Sequence, residues 1–392
     1  MLIHKAARML LPVGLLLCGG ITTFAQLDPE HRNQIELGVD QPLTGQGPQG
    51  IYAYYYYNNP EFLNSNIVLR AALAPAYLDS ELGFKHLISP STDVGLGISG
   101  GVYGDNYYEV RQGDYLQRES FDGHGGGASA SIYQLLDPGL LIPLNVVARG
   151  GFHYATYSEA DRTPDTFELP RDQVNLFTRA GLRLAGKEPV LIPNLGLELS
   201  VWFERQWRLQ RDTYGFNNDR NISPAVNLYW VYAEMSYSWT NTGQKASVAV
   251  MAGDSSSADR FSAWRLGGVL PLVSEFPLMI PGYYYEELTV EKFVHLYGNY
   301  DIPLDRGDRW KFRVEAASAN AKYLPGFEQK SHWQTGAGGG ITFTPKSKRF
   351  SVIARYGYGF NAIRSGSEGS HSIGLLVQYD FAAHKKSSDS TQ

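Results

Sequence analysis

Between residues 195 and 207 apolar and polar side chains alternate one by one. Leu195, Leu197, Leu199, Val201 and Phe203 share the odd positions, and Gly196, Glu198, Ser200, Trp202 and Glu204 the even ones. Residues 229–239 repeat the pattern, with Tyr229, Val231, Ala233, Met235, Tyr237 and Trp239 set against Trp230, Tyr232, Glu234, Ser236 and Ser238. A period of two sends alternate side chains to opposite faces of a β-strand. Here one face is apolar and bracketed by aromatics, and the other is polar. Ten residues rising about 3.3 Å each, tilted by about 40°, climb roughly 25 Å, the height of the apolar band on a membrane β-barrel with its two aromatic girdles.

The alternation recurs strongly at 174–184, 310–316, 350–361 and 373–381. It is fainter at 34–41, 50–58, 66–78, 81–88, 93–104, 121–134, 143–157, 244–254, 262–268, 293–304 and 332–344. That makes about 17 segments, and bacterial barrels close with an even number. The expectation is an all-β, transmembrane antiparallel barrel of roughly 16 strands, in which the tyrosine run 52–57 is the least regular member. Soluble sandwiches and propellers also alternate, but their strands are mostly about 5–6 residues long, whereas these repeats run to ten and more. The connections suit a barrel. Asp305-Arg-Gly-Asp308 and Pro345-Lys-Ser-Lys348 are short turns, whereas 113–121, 159–171, 210–224 and 268–291 read as long polar or Gly/Pro-rich outer loops.

Composition narrows the function classes. The 392 residues carry 34 Lys plus Arg against 39 Asp plus Glu, a net charge of −5, without the basic face that nucleic-acid binding requires. One cysteine among 392 residues excludes a disulfide framework and any multi-cysteine metal site. Residues 1–25 read as a secretory signal peptide: Lys5 and Arg8, an apolar run ending at Cys18, then Thr23 and Ala25 before the cut. Leu17 stands where a lipoprotein signal wants a small residue ahead of Cys18. No later segment has the roughly 18 continuous apolar residues of a membrane helix. The expected organisation is signal 1–25, barrel 26–381 and a short polar tail 382–392.

Catalytic motifs are formal matches only. Gly97-Ile-Ser-Gly-Gly101 fits G-x-S-x-G, and Gly95, Gly97 and Gly100 fit G-x-G-x-x-G, but both lie in an alternating strand without the helix that either chemistry needs. The nine His show no H-E-x-x-H spacing. The expectation is a non-enzyme with no cofactor and no metal. The strand faces put Glu198, Glu204, Glu234, Asp301, Lys311, Arg313, Glu315 and Arg355 into the lumen, either as a cross-lumen network or as the lining of a water-filled path.

The C-terminal third has more specific features. Arg265-Leu-Gly-Gly268, Ile280-Pro-Gly-Tyr283, Gly336-Ala-Gly-Gly-Gly340, Tyr356-Gly-Tyr-Gly359 and five strands after Tyr283 resemble the barrel of the bacterial surface antigen family, the superfamily of outer-membrane protein assembly factors and two-partner secretion transporters. The resemblance covers roughly residues 262–381. It implies 16 strands and a long sixth loop whose tip, here Pro281, Gly282 and Tyr283, folds into the lumen. The family's tip arginine, which meets an acid on an inner strand, is Pro281 here; the matching strand carries Glu315. The resemblance therefore implies a loop held by aromatic packing and tyrosine hydroxyls instead of an ion pair. Only about ten residues separate Ala25 from the first strand, so the family's periplasmic POTRA domains are not expected. Ser372, Gly374, Val377, Tyr379 and Phe381 resemble the C-terminal signal read by the barrel assembly machinery. The implied setting is the outer membrane of a Gram-negative bacterium, with outer-membrane lipid and that machinery as partners and the client or solute unknown. The implied role is insertion or translocation of protein or other macromolecules. A porin-type diffusion channel and a structural or surface-interaction barrel are the alternatives.

Overall fold

The computed structural model describes residues 30–382 except 75–76, 137–141, 186–194, 211 and 272–274. The signal at 1–25 and nearly all of the tail lie outside the described residues. Among the described residues sixteen long strands form the wall: β1 (Arg32–Pro42), β2 (Gly50–Asn59), β3 (Ile67–Ala74), β4 (Tyr77–Ser89), β5 (Thr92–Tyr107), β6 (Phe121–Leu135), β7 (Leu144–Glu159), β8 (Gln173–Ala185), β9 (Leu195–Arg208), β10 (Ala225–Ser238), β11 (Lys245–Ser256), β12 (Leu288–Pro303), β13 (Trp310–Tyr323), β14 (Trp333–Phe343), β15 (Phe350–Arg364) and β16 (Ser367–Asp380). Each pairs antiparallel with the next. The last pairs with the first, from Gln34↔Asp380 to Pro42↔Ser372, so the sheet closes without an edge.

The faces fall as the alternation requires. Leu199, Val201, Tyr229, Val231, Met235, Val314, Leu375 and Tyr379 are exposed on the outside, while Glu198, Glu204, Trp202 and Trp230 are buried inside. At the short-turn end the outward aromatics form a belt: Trp239 against Tyr300, Trp310 4.5 Å from Phe343, and Tyr379 4.8 Å from Phe381. An apolar outer band edged by aromatics is the surface of a barrel that sits in a bilayer.

Two neighbours on β10 test the register. Met235 faces outward, 57% exposed, whereas Glu234 faces inward and accepts a 2.5 Å hydrogen bond from the Tyr232 hydroxyl. Met235→Leu should change stability by less than about 1.5 kcal/mol. Glu234→Leu should cost about 1–3 kcal/mol, because it strands a buried hydroxyl. Urea titration of the folded, heat-modifiable form measures both, and equal effects would contradict this register.

The tyrosine run, the least regular of the expected strands, is a full wall strand, β2, paired along its length with β1. Two readings of the connection between β11 and β12 need correction. The surplus segment was 262–268: only Trp264–Leu266 is extended there, and it pairs with Leu288–Val290 at the start of β12. Its alternation is real, but it belongs to a loop that borrows a wall strand's hydrogen bonds. The connection read as 268–291 runs from 257 to 287, and much of it lies inside the barrel. Segments 66–78 and 81–88 are one hairpin, β3 and β4.

The nucleotide- and hydrolase-like glycines serve packing. A side chain at Gly95 would strike the Glu81 carboxylate, and one at Gly97 would crowd Ser129 and Arg149. Both glycines lie within β5, and among the described residues no α-helix follows it.

Candidate functional site: a loop seated in the lumen

The connection between β11 and β12 is the sixth of the long-end loops. Gly267 and Gly268, at φ +134° and +99°, turn the chain after Leu266 into conformations that side chains resist. The loop then doubles back on itself. The Gly267 amide donates to the Leu278 carbonyl at 2.9 Å, and Gly268 bridges Ile280. Ile280, Tyr283 and Leu266 are fully buried, in one cluster with inner-wall Trp202, Trp230 and Phe293. The tip thus lies against the inner wall.

The tip is seated by glycines on both sides. A Cβ on Gly282 (φ +88°) would collide with the backbone of Tyr358 and Gly359 on β15; a Cβ on Gly336 of β14 would strike the Pro281 carbonyl. Gly357 and Gly359 leave space for Pro281 and for the Tyr283 ring in the same way. The Gly-rich stretches of β14 and β15 are thus the floor on which the loop tip rests. The Gly282 amide donates to Ser372 Oγ at 3.1 Å, and the Tyr283 hydroxyl donates to Gln334 Oε1 at 2.6 Å. Gln334 in turn donates to the Tyr323 hydroxyl and the Ser331 carbonyl.

The loop is tied to both sides of the closure between first and last strands. Asp40 on β1 accepts the amides of Val269 and Leu270 at 2.6 and 3.3 Å. On β16, Gly374 admits the side chains of those same two residues. Ser372 and Gly374, read as part of an assembly signal, therefore also hold the loop. Val377, Tyr379 and Phe381 lie on the opposite, outward alternation, with Tyr379 and Phe381 exposed.

The expectation of a lock without an ion pair is corrected. Arg364 at the end of β15 donates to both oxygens of Glu287 at 2.7 Å. Glu287 also accepts the Tyr284 amide at 2.8 Å, and the Arg364 guanidinium lies 3.5 Å from the centre of the Tyr284 ring. The Tyr284 hydroxyl reaches the Thr44 carbonyl beneath the first loop. Glu315 has a cation as well, supplied by the wall and not by the loop tip: Arg355 Nη1 lies 3.4 Å away, and the Tyr297 hydroxyl donates to Glu315 at 2.5 Å. Arg355 also donates to the Val269 carbonyl, and ring nitrogen Nε2 of His295 lies 2.8 Å from the Met279 carbonyl.

The remaining sequence-assigned charges do not converge on one site. Glu198 pairs with Arg183 and Glu204 with Arg179, around the Trp202–Trp230 stack. Arg313 pairs bidentately with Asp301, and Lys311 meets Asp308 at the short-turn rim. These residues form separate pairs within a hairpin or between adjacent strands. Among the described residues no group of three or more His, Cys, Asp or Glu is placed to hold a metal.

A second construction, which the sequence did not reveal, caps the long-loop end. Phe121, Phe167, Tyr214 and Ile222 make a separate buried cluster with Phe261 of the sixth loop. Beside it Glu109, fully buried, meets Arg260 at 2.5 Å, Arg111 at 2.6 Å and Arg220 at 3.7 Å. Three loops are thereby tied to one carboxylate. Burial pushes the Glu109 carboxyl up, but Arg260, then Arg220 and Arg111, outweigh it and hold it below the usual carboxylate range. A lowered folded-state value means its contribution is complete above the ordinary glutamate value, about 4.3, and is lost as pH falls through the lower, folded one. Hydrogen exchange of 108–120, corrected for intrinsic rate, should therefore stay flat from pH 8 to 5. Loosening already at pH 6 would contradict this account of the cap.

With this geometry known, the chain can be compared with other proteins. No family profile and no curated protein sequence matches it. Among solved structures it is similar to CdiB from Acinetobacter baumannii, at 11% identity and TM-score 0.59, covering 90% of this chain and 60% of that one. It is similar to BamA from Haemophilus ducreyi lacking POTRA domains 1–3, at 11% and 0.54, covering 89% and 71%. CdiB from Escherichia coli gives 13% and 0.54, covering 90% and 63%. The chain has the fold of these barrels. It spans less than two thirds of either CdiB chain, so the likeness is one of barrel architecture.

Proposed function

We propose that this protein is an outer-membrane barrel of a Gram-negative bacterium that acts in inserting or translocating protein or other macromolecules, and that it is not an enzyme. The observation that carries this reading is the seating of the sixth loop, with its tip against Gly336, Gly357 and Gly359 and its stem bound to Asp40 and Arg364. A passive diffusion channel works through an open lumen. This lumen is occupied by a structured loop and roofed by a cap, an arrangement suited to a path that opens only when a client engages it. The fold shared with CdiB and BamA supports the same role.

The test uses a cysteine introduced at Tyr284, which is 1% exposed. The only native cysteine is Cys18, within the expected signal. On intact cells a bulky maleimide should label Tyr284→Cys far more slowly than a cysteine at exposed Glu328. Equal rates would sink the seated-loop reading and favour a simple porin. Single-channel recordings should show small, flickering conductance; a large, steady one would favour the porin as well.

A further inference from the structure

Next to the seated loop the lumen is not filled. Between the sixth loop and the inner face of β8–β10 lies a cavity of about 420 Å³, within the size range of small-molecule sites. Polar and apolar groups share its walls, and three aromatic rings stand together on one side. Trp230 comes from β10, Trp264 from the first arm of the loop and Phe276 from the second. Trp264 and Phe276 lie 5.5 and 6.0 Å from the Trp230 ring, so the folding of the loop itself builds the chamber.

The polar groups around this chamber are unequally committed. Glu204 uses both oxygens, accepting from Arg179 at 2.6 Å and from Gln206 at 2.7 Å. Glu275 pairs with Arg183 and stands 3.9 Å from Arg179. Glu286 attracts Arg265 only from beyond ion-pair contact. Arg265 differs from the other arginines here. One of its five donors reaches the Tyr108 carbonyl at a long 3.4 Å, and among the described residues no carboxylate forms an ion pair with it. The indole N–H groups of Trp230 and Trp264 also have no acceptor. The buried polar atoms on this chamber that lack a partner are thus both donors, the two indole N–H groups, beside an arginine without an ion pair.

We propose that the cavity binds a small planar organic anion, its carboxylate on Arg265 and its aromatic body among Trp230, Trp264 and Phe276. The site goes beyond the macromolecular role and stands or falls separately from it. The test titrates 2-naphthoate into the purified full chain in a non-ionic detergent. Calorimetry is read against empty micelles, with 2-naphthalenemethanol as the neutral isostere and inorganic phosphate as the headgroup alone. The expected result is saturable binding of one naphthoate per barrel. The alcohol should bind at least about tenfold more weakly, since it lacks the charge-assisted bond. Arg265→Gln should weaken naphthoate by a similar factor and leave the alcohol unchanged, whereas Phe276→Ala should weaken both. If Arg265→Gln gives no heat-modifiable barrel, the alcohol comparison and Phe276→Ala still decide. Naphthoate and alcohol binding alike, or no saturation above micelles, would overturn the proposal. Phosphate binding as tightly as naphthoate would overturn its aromatic half.

Discussion

Replacing residues 276–287 with a short Gly–Ser linker should turn a quiet barrel into a steady, high-conductance one, severalfold above the intact protein. The segment carries Ile280, Tyr283 and Tyr284, all buried at about 1% exposure or less, and Phe276, which packs on Trp202, Trp230 and Tyr232. These side chains stand in the space a solute must cross. The wall does not need them to close, since the first and last strands pair over nine residues on their own. The segment Trp264–Leu266 can keep its pairing with β12, because the deletion begins after it. Folding is checked by heat-modifiable migration, and conductance by single-channel recording. A folded variant with unchanged conductance would mean that the cap alone closes the path, which Glu109→Gln in the same background would then expose.

The wall was legible because its information is local. Glu198 beside Leu199, or Arg313 beside Val314, declares its face by parity alone, and the structure keeps that parity. The loop tip was legible through Ile280-Pro-Gly-Tyr283 and the glycines that receive it. What failed to show were partnerships between residues far apart in the chain. Asp40 meets Val269 across 229 positions, and Arg220 meets Glu119 across 101; neither partner carries a spacing that points to the other. Nor does Glu109 look different in sequence from any exposed loop glutamate. The misread segment 262–268 shows the converse limit. Two-residue periodicity reports an extended chain against a partner, and inside a barrel that partner can be the wall's own inner edge. Losing the tip arginine at Pro281 suggested that no ion pair holds the loop, yet Glu287 and Arg364 form one a few residues away, a compensation that only the folded chain displays.

That pair gives the sharpest mutational expectation. Arg364→Ala should destabilise the seated loop by about 3–5 kcal/mol, because it leaves the Glu287 carboxylate buried and unpaired. It also removes the cation from the Tyr284 ring. Glu287→Gln should cost less, since the amide can still accept from Arg364 and from the Tyr284 amide. The double variant Glu287→Leu/Arg364→Leu should recover much of the loss, because two apolar side chains leave no stranded charge. The readout is the maleimide labelling rate at position 284 in each background, alongside the temperature at which the folded band disappears. Arg364→Ala should speed labelling markedly, while the double variant stays close to the parent. If Arg364→Ala labels no faster than the parent, the loop does not depend on this pair, and the seat formed by Gly282, Ser372 and Tyr283 holds it without help from charge. If the double variant labels as fast as Arg364→Ala, the pair is needed for its attraction itself, not merely to avoid an uncompensated carboxylate.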